Sequence, residues 1–358
     1  MSATRGRDRS IDAMKGLLVF GMVYAHVLQF FSPMGLYPVS QAVSDVVNLI
    51  TFSGFVFCFG YTNQLAYYSK PFGRAYRNML LSALKTLVAF YISGAAFRVF
   101  IGGAFPDGET LRPILLLEDI PGWSEFLVSF SLISLIGVAL FPALRRLAER
   151  PALLWTVCAL LLLATYIPYE SVRSTQLGLL IGTTAFPSFP VLQYFPYYLA
   201  GMAFAKGGVR WGWPYAIGAA AASGTFAYVW AAGGYALPSR FPPSAAWILG
   251  PALLLYGYYL LSSYGVRALA RVPGLLTAGR NVLFYLLASN LAIFAAKSRV
   301  GEYPVSPGEG LALTALLLAG IAFATRIVAP PERAERPTSR PADASERAGP
   351  PGPFGAAR

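Results

Sequence analysis

His26 is the only histidine in this chain of 358 residues, and it lies in a segment apolar enough to cross a membrane. An imidazole can act as a general base, a nucleophile or a proton relay. Asp12 and Lys15 stand at the start of the same segment. Because an α-helix turns about 100° and rises about 1.5 Å per residue, Lys15 and His26 point within roughly 20° of each other and lie about 16 Å apart along the axis. Asp12 falls within about 60° of that line.

One helix face is therefore predicted to carry an ion pair at its entrance and an imidazole deep in the membrane. Ionisable groups inside a membrane are costly, face the protein interior and are functional candidates by default. The alternative is a lone histidine satisfied by a neighbouring helix, with Asp12 and Lys15 as interfacial anchors. We favour the functional interpretation because the three residues share a face.

The composition indicates an integral membrane protein. Hydrophobic residues make up 56% of the chain and charged residues 12%, about half the charge of a soluble protein. The net charge of +12 would suggest nucleic acid in a soluble protein, but here the excess lies in short loops and at the C-terminal end, so membrane topology explains it and no nucleic acid is expected. Cys58 and Cys158 form no Cys-x-x-Cys or Cys/His cluster, so neither a metal site nor a disulfide framework is expected.

The hydropathy pattern predicts an all-α integral membrane protein with about ten transmembrane helices. The predicted spans are 11–32, 44–67, 79–100, 123–143, 152–168, 188–205, 212–232, 245–264, 274–297 and 309–328. Twenty of the 28 basic residues then fall on one side of the membrane, which predicts that both termini are cytoplasmic. The N-terminal segment is not expected to be a cleaved signal peptide, because it contains Lys15 and His26 and no cleavage site follows. Residues 1–328 are thus a predicted membrane domain, and 329–358, rich in Pro, Arg, Glu, Ser and Ala, a predicted disordered, solvated cytoplasmic tail.

A basic cluster follows the second predicted span. Arg74 and Arg77 share a face if a helix starts there, and with nearby Lys70 they suit phosphate groups. The alternative is ordinary positive-inside charge.

Two further stretches carry polar groups. In Phe52-Ser53-Gly54-Phe55 the glycine permits close helix packing, and Ser53 can hydrogen-bond across helices. Glu125, two residues after Trp123, is either a solvated carboxylate beside an interfacial tryptophan or a substrate-binding group. Ser289 and Asn290, in the ninth predicted span, either line a polar cavity or bridge helices.

Together these residues resemble the acyltransferase-three family of bacterial membrane O-acyltransferases. Arg9…Asp12…Lys15-Gly16…His26 is similar to its first-helix signature, in which a basic residue precedes a histidine by eleven positions. Phe52-Ser53-Gly54-Phe55 resembles its second-helix motif, and Arg74-x-x-Arg77 its cytoplasmic double-arginine motif. The resemblance covers about 8–328. It departs from the family at Trp123-Ser124-Glu125-Phe126-Leu127, where Trp-Phe-Leu is expected, and in lacking a late-helix histidine.

The resemblance implies a multi-pass protein of the bacterial inner membrane that moves an acyl group, expected to be acetyl, from cytoplasmic acyl-CoA to a hydroxyl of a cell-surface or periplasmic carbohydrate or glycolipid. It implies that His26 is essential and that Arg74 and Arg77 serve the donor side. No permanently bound cofactor is expected, since acyl-CoA is a substrate. His26 would act as base or transient acyl carrier, with Asp12 and Lys15 at the entrance, and Lys70, Ser53 and Glu125 complete the expected binding residues.

Three other functions fit the same polar face. A transporter or flippase for an anionic or glycan substrate would use it as a pathway, with His26 as a proton relay. A structural partner of a polysaccharide synthase would tolerate loss of His26. Transfer to the amino group of a sugar would differ only in its product.

Overall fold

The structure is a computed structural model, and it describes residues 8–300 and 304–328. Every regular element in these ranges is helical. The first half contains α1 (Arg9–Phe31), α2 (Pro38–Asn63), α3 (Phe72–Phe100), α4 (Gly108–Leu115), α5 (Glu125–Ala139), α6 (Phe141–Leu147), α7 (Pro151–Leu162) and α8 (Thr175–Ile181). The second half contains α9 (Val191–Gly207), α10 (Trp213–Ala232), α11 (Ala245–Leu249), α12 (Ala252–Tyr264), α13 (Val266–Leu269), α14 (Leu275–Arg280), α15 (Val282–Val300) and α16 (Pro307–Val328). A π-helical turn, Gln64–Tyr68, extends α2, and 3₁₀ turns follow at Leu163–Tyr166 and Tyr169–Ser171.

Six of the described helical segments are long and apolar enough to cross a membrane: α1, α2 with its π-helical turn, α3, α11 with α12, α15 and α16. The helices α5 and α6 would make a seventh if they form one span, although they meet at 86°. The chain is therefore an all-helical, multi-pass membrane protein.

Helices also occupy the other predicted spans. The segments 123–143, 152–168, 188–205 and 212–232 correspond to α5 with α6, to α7 with its 3₁₀ turn, to α9 and to α10. The ten-span count and the sides of the termini stay predictions. The predicted span 274–297 contains two helices, α14 and α15, which are separated by a break at Asn281. The predicted tail, 329–358, lies outside the described residues.

Helix α1 lies at the centre of the compact unit, which ends at Ala322. It packs against α2, α12, α14 and α15, and it is the most buried of the six candidate spans. Its N-terminus is capped by the Asp8 carboxylate, which accepts a hydrogen bond from the Ser10 backbone N–H at 2.9 Å. The Tyr61 hydroxyl of α2 donates to the same carboxylate at 2.8 Å. A central, capped helix holds its side chains in fixed directions, which a site on its face requires.

Two glycines allow α1 and α14 to cross with their backbones almost in contact. A Cβ atom on Gly279 would lie 1.7 Å from the Asp12 carbonyl oxygen, and one on Gly16 would lie 2.3 Å from the Leu275 carbonyl oxygen. Small residues at a helix crossing permit this approach. The crossing places Arg280, next to Gly279, beside the N-terminal end of α1.

The close packing predicted for Gly54 is present. A Cβ atom there would lie 2.9 Å from side-chain atoms of Leu18 on α1 and Leu255 on α12. Gly54 therefore lets α2 approach both helices.

Candidate functional site

His26 lines a cavity of about 260 Å³ between α1, α2, the start of α5 and the loops 182–190 and 233–244. We call it the histidine cavity. Its polar lining consists of His26, Gln29, Asn48, Thr51, Trp123, Glu125 and Arg240. Its aromatic walls are Phe52, Phe55, Phe126, Phe189 and Phe241. A concave, largely apolar space with a few converging polar groups is typical of small-molecule sites.

Within the described part of the chain, the buried His26 ring is held by one hydrogen bond, between its Nδ1 and Oδ1 of Asn290 on α15 at 3.2 Å. The Asn290 amide nitrogen donates to the Ser93 hydroxyl at 3.2 Å and to the Trp123 carbonyl oxygen at 2.9 Å. A carbonyl oxygen only accepts, so the amide nitrogen faces Trp123 and Oδ1 faces the imidazole. His26 therefore donates from Nδ1.

A neutral imidazole that donates from Nδ1 carries its lone pair on Nε2. Among residues 8–300 and 304–328, no group hydrogen-bonds to Nε2 of His26. Asn290 therefore bridges helices, which is one of the two roles that the sequence left open for it. Its hydrogen bond to Nδ1 orients the imidazole, as a hydrogen bond at one ring nitrogen does in catalytic histidines.

Trp123 shapes the wall of the cavity through an unusual backbone conformation. Its φ is +58°, in the left-handed region that a bulky residue rarely adopts. Its indole Nε1 donates to Gln29 Oε1 at 3.0 Å, and its carbonyl oxygen accepts a hydrogen bond from the Asn290 amide nitrogen. Strain of this kind persists where surrounding contacts hold it and is concentrated at functional sites.

Glu125 and Arg240 supply the charged groups of the histidine cavity. Glu125 is 7% exposed, so the interpretation of this residue as a solvated carboxylate is wrong. The Arg240 guanidinium stands over the Phe241 ring at 4.6 Å and the Phe189 ring at 5.4 Å from Cζ to centroid. Burial lowers the pKa of Arg240, but an arginine stays protonated because its usual pKa is so high.

A second cavity, of about 310 Å³, lies toward the N-terminal end of α1 and contains three cationic side chains, Lys15, Lys85 and Arg280. We call it the lysine cavity. Asp12, which is 1% exposed, holds two of these cations. Its carboxylate oxygens lie 2.9 Å from Lys15 Nζ and 3.6 Å from Arg280 Nε. The ion pair expected from the spacing of Asp12 and Lys15 is therefore present, and α14 adds a third member.

The two cavities share one lining residue, Phe55 of α2. Lys15 belongs to one cavity and His26 to the other, which matches their separation of about 16 Å along α1. The buried Phe55 side chain thus lies between the lysine cavity and the histidine cavity.

The structure brings together some of the predicted site residues and not others. His26 and Glu125 line one cavity, and Lys15 lines the other beside Asp12. Ser53 is buried on α2 but lines neither cavity. The exposed basic residues of the loop before α3 and of its first turns also line neither; these are Lys70, Arg74 and Arg77.

The sequence analysis did not assign Lys85, Arg240 or Arg280 to the site. A signal was available for two of them. Lys85 is an ionisable residue inside a predicted span, the criterion applied to His26. Arg240 is a basic residue on the side of the membrane where such residues are scarce. For Arg280 the local sequence gives no signal, because its position depends on the crossing of α1 and α14.

Within the described ranges, no three His, Cys, Asp or Glu side chains are grouped to hold a metal ion. No family model matches the chain, and no curated protein or solved structure matches it. Its function must therefore be inferred from its own residues and their geometry.

Proposed function

We propose that this protein is a membrane-embedded acyltransferase. It would move an acyl group, expected to be acetyl, from cytoplasmic acyl-CoA to a hydroxyl of a cell-surface or periplasmic carbohydrate. The observation that carries the proposal is the pair of cavities that meet at Phe55, one with three cations and one with an oriented imidazole. Such an arrangement suits a reaction between an anionic donor from one side and a hydroxyl acceptor from the other.

The lysine cavity would receive the donor. Its three cations suit the phosphates of acyl-CoA, which form strong charge-assisted hydrogen bonds with Lys and Arg. Asp12 keeps Lys15 and Arg280 at the mouth of the cavity, and the thioester arm would pass along α1 and Phe55 toward His26. Arg74 lies on the same side of α3 as Lys85, about 16 Å nearer the start of that helix. It could thus extend the binding surface toward the cytoplasm, in agreement with the expected donor role of Arg74 and Arg77.

The histidine cavity would hold the acceptor. Nε2 of His26 takes the proton of the acceptor hydroxyl while its oxygen attacks the thioester carbonyl carbon. A carbon–oxygen bond forms, the carbon–sulfur bond breaks, and the proton passes from His26 to the departing thiolate. The fixed Nδ1 donation to Asn290 supports the role of base. A transient acyl group on Nε2 would use the same geometry in two steps.

The ten-span topology with both termini cytoplasmic belongs to the same proposal, because it places the lysine cavity inside and the histidine cavity outside. Reporter fusions after residue 75 and after residue 330 should both read cytoplasmic, since basic loops stay on that side. A fusion after 330 that reads outside would mean an odd number of spans and would refute this architecture.

The donor role of the lysine cavity predicts a specific kinetic change. Lys85→Gln and Arg280→Gln should each raise the KM for acyl-CoA by about 3- to 10-fold, the loss expected for a partly solvated charge contact. The value of kcat should change little, because binding of the ground state is what is removed. The assay is release of free CoA thiol by the full-length protein in lipid vesicles, with mass spectrometry of surface glycans to identify the acylated product.

Arg271→Gln is the matched control, because Arg271 is exposed in the loop before α14 and lines neither cavity. Arg77→Lys extends the same assay. It keeps the charge but loses the planar fork of the guanidinium group. A raised KM for acyl-CoA would include Arg77 in the donor site. An unchanged KM would mean that Arg77 only contributes positive charge to the cytoplasmic side. Equal KM values for wild type, Lys85→Gln and Arg280→Gln would remove the lysine cavity from donor binding.

A further inference from the structure

Two buried polar atoms of the histidine cavity have no hydrogen-bond partner among the described residues. They are Nε of Arg240 and Oε2 of Glu125. Gln29 of the same cavity differs from them, since it donates to Ser44 and accepts from Trp123. Buried polar groups are normally paired, and an unpaired one requires an explanation. A donor and an acceptor left open in one cavity mark where the polar groups of a ligand would bind.

Arg240 is positioned by aromatic rings and not by a carboxylate. The rings of Phe189 and Phe241 hold its guanidinium, at the distances given above. It forms no ion pair with a carboxylate in the described part of the chain, not even with Glu125 of the same cavity. A guanidinium fixed in this way keeps its planar fork for an anion, and carboxylate and phosphate groups match that fork with two parallel hydrogen bonds.

We propose that the histidine cavity binds an acidic sugar, whose carboxylate or phosphate lies on Arg240 and one of whose hydroxyl groups donates to Glu125. This inference rests on the proposed function and narrows the acceptor from carbohydrates in general to negatively charged ones. The hydroxyl that is acylated lies at Nε2 of His26. The volume of about 260 Å³ is below the usual range for drug-sized ligands, about 300–1,000 Å³, and therefore suits one sugar ring.

The test is a binding measurement that needs no acyl transfer. Full-length protein in lipid nanodiscs, without acyl-CoA, is titrated calorimetrically with methyl glucuronide, glucose 6-phosphate and methyl glucoside. At least one charged sugar should bind about 10-fold more tightly than the neutral glucoside, the difference typical of a charge-assisted hydrogen bond. The stronger of the two charged probes identifies carboxylate or phosphate as the preferred group.

Arg240→Gln should abolish this preference, and Arg240→Lys should retain part of it, because the charge is kept and the fork is lost. Arg173→Gln is the matched control, since Arg173 is an exposed loop arginine that does not line the cavity. Thermal unfolding of each variant establishes that it is folded. Equal binding of the three sugars, binding of none, or a preference that survives Arg240→Gln in folded protein would overturn the inference.

The same probes separate this inference from the proposed function. His26→Gln should keep the preference for the charged sugar over the neutral glucoside, because the anion is assigned to Arg240, while the affinity for all three sugars falls by the loss of the contact at Nε2. Arg240-dependent binding in a protein that transfers no acyl group would uphold the acidic-sugar site and refute the acyltransferase. Acyl transfer to a neutral sugar that does not depend on Arg240 would uphold the acyltransferase and refute the acidic-sugar site.

Discussion

His26→Gln should reduce acyl transfer by about 10²–10⁴-fold, the usual contribution of a general base. Glutamine keeps hydrogen-bonding capacity and most of the volume of histidine, but it cannot take a proton at neutral pH. Its amide group can still pair with Asn290, so the packing around α1 should be retained. His26→Ala should be equally inactive, because both variants lack the proton acceptor. The measurement is the yield of acylated product at matched amounts of protein in the membrane.

A control and a parallel measurement make this result specific. Phe20→Leu changes an exposed residue of α1 that lines neither cavity, and it should leave transfer intact. Binding of acyl-CoA to His26→Gln should also be normal, because the donor phosphates are assigned to the other cavity. Product formed at the wild-type rate by His26→Gln would rule out a chemical role for the imidazole. The transporter and the structural partner of a synthase would then be the leading hypotheses.

The sequence was most informative where a property depends on residues of a single helix. Lys15 and His26 lie on one face because α1 is regular over the whole interval, and Asp12 pairs with Lys15 because three residues separate them. Burial of Glu125 was harder to predict, since a carboxylate next to a tryptophan at a span boundary is compatible with both interpretations. Its surroundings come from parts of the chain that are distant in sequence, because α1, α2 and the loops 182–190 and 233–244 all line the same cavity.

Properties that depend on several helices were not accessible from the sequence. Arg280 meets Asp12 across 268 positions of the chain, through a helix crossing that no local pattern encodes. Arg240 enters the histidine cavity from a loop between α10 and α11. Its place on the side of the membrane where basic residues are scarce marks it as unusual, but the sequence does not indicate which cavity it enters. Lys85 differs from these two, because its position inside a span was visible and the same reasoning that selected His26 would have selected it.

Gly279→Ala should severely destabilise the protein, because the new Cβ atom would lie 1.7 Å from the Asp12 carbonyl oxygen. That atom belongs to the backbone of α1, so no side-chain rotation can relieve the contact and the two helices must move apart. Overpacking typically costs about 1–3 kcal/mol, and a clash with a rigid backbone should lie at or above the upper end. Separation of α1 from α14 would also take Arg280 away from Asp12, so any protein that still folds should bind acyl-CoA more weakly.

The matched control for this substitution is Gly257→Ala on α12. A Cβ atom at Gly257 would meet nothing within 4 Å, and alanine is favoured over glycine in a helix interior by up to about 1 kcal/mol. Gly257→Ala should therefore unfold at the wild-type temperature or above it, whereas Gly279→Ala should unfold well below it or fail to accumulate. The measurement is thermal unfolding in detergent, followed by tryptophan fluorescence, with the amount of monodisperse protein recorded for each variant. Equal unfolding temperatures for Gly279→Ala and the wild type would show that α14 does not pack against α1 at this distance, and the placement of Arg280 in the lysine cavity would fall with it.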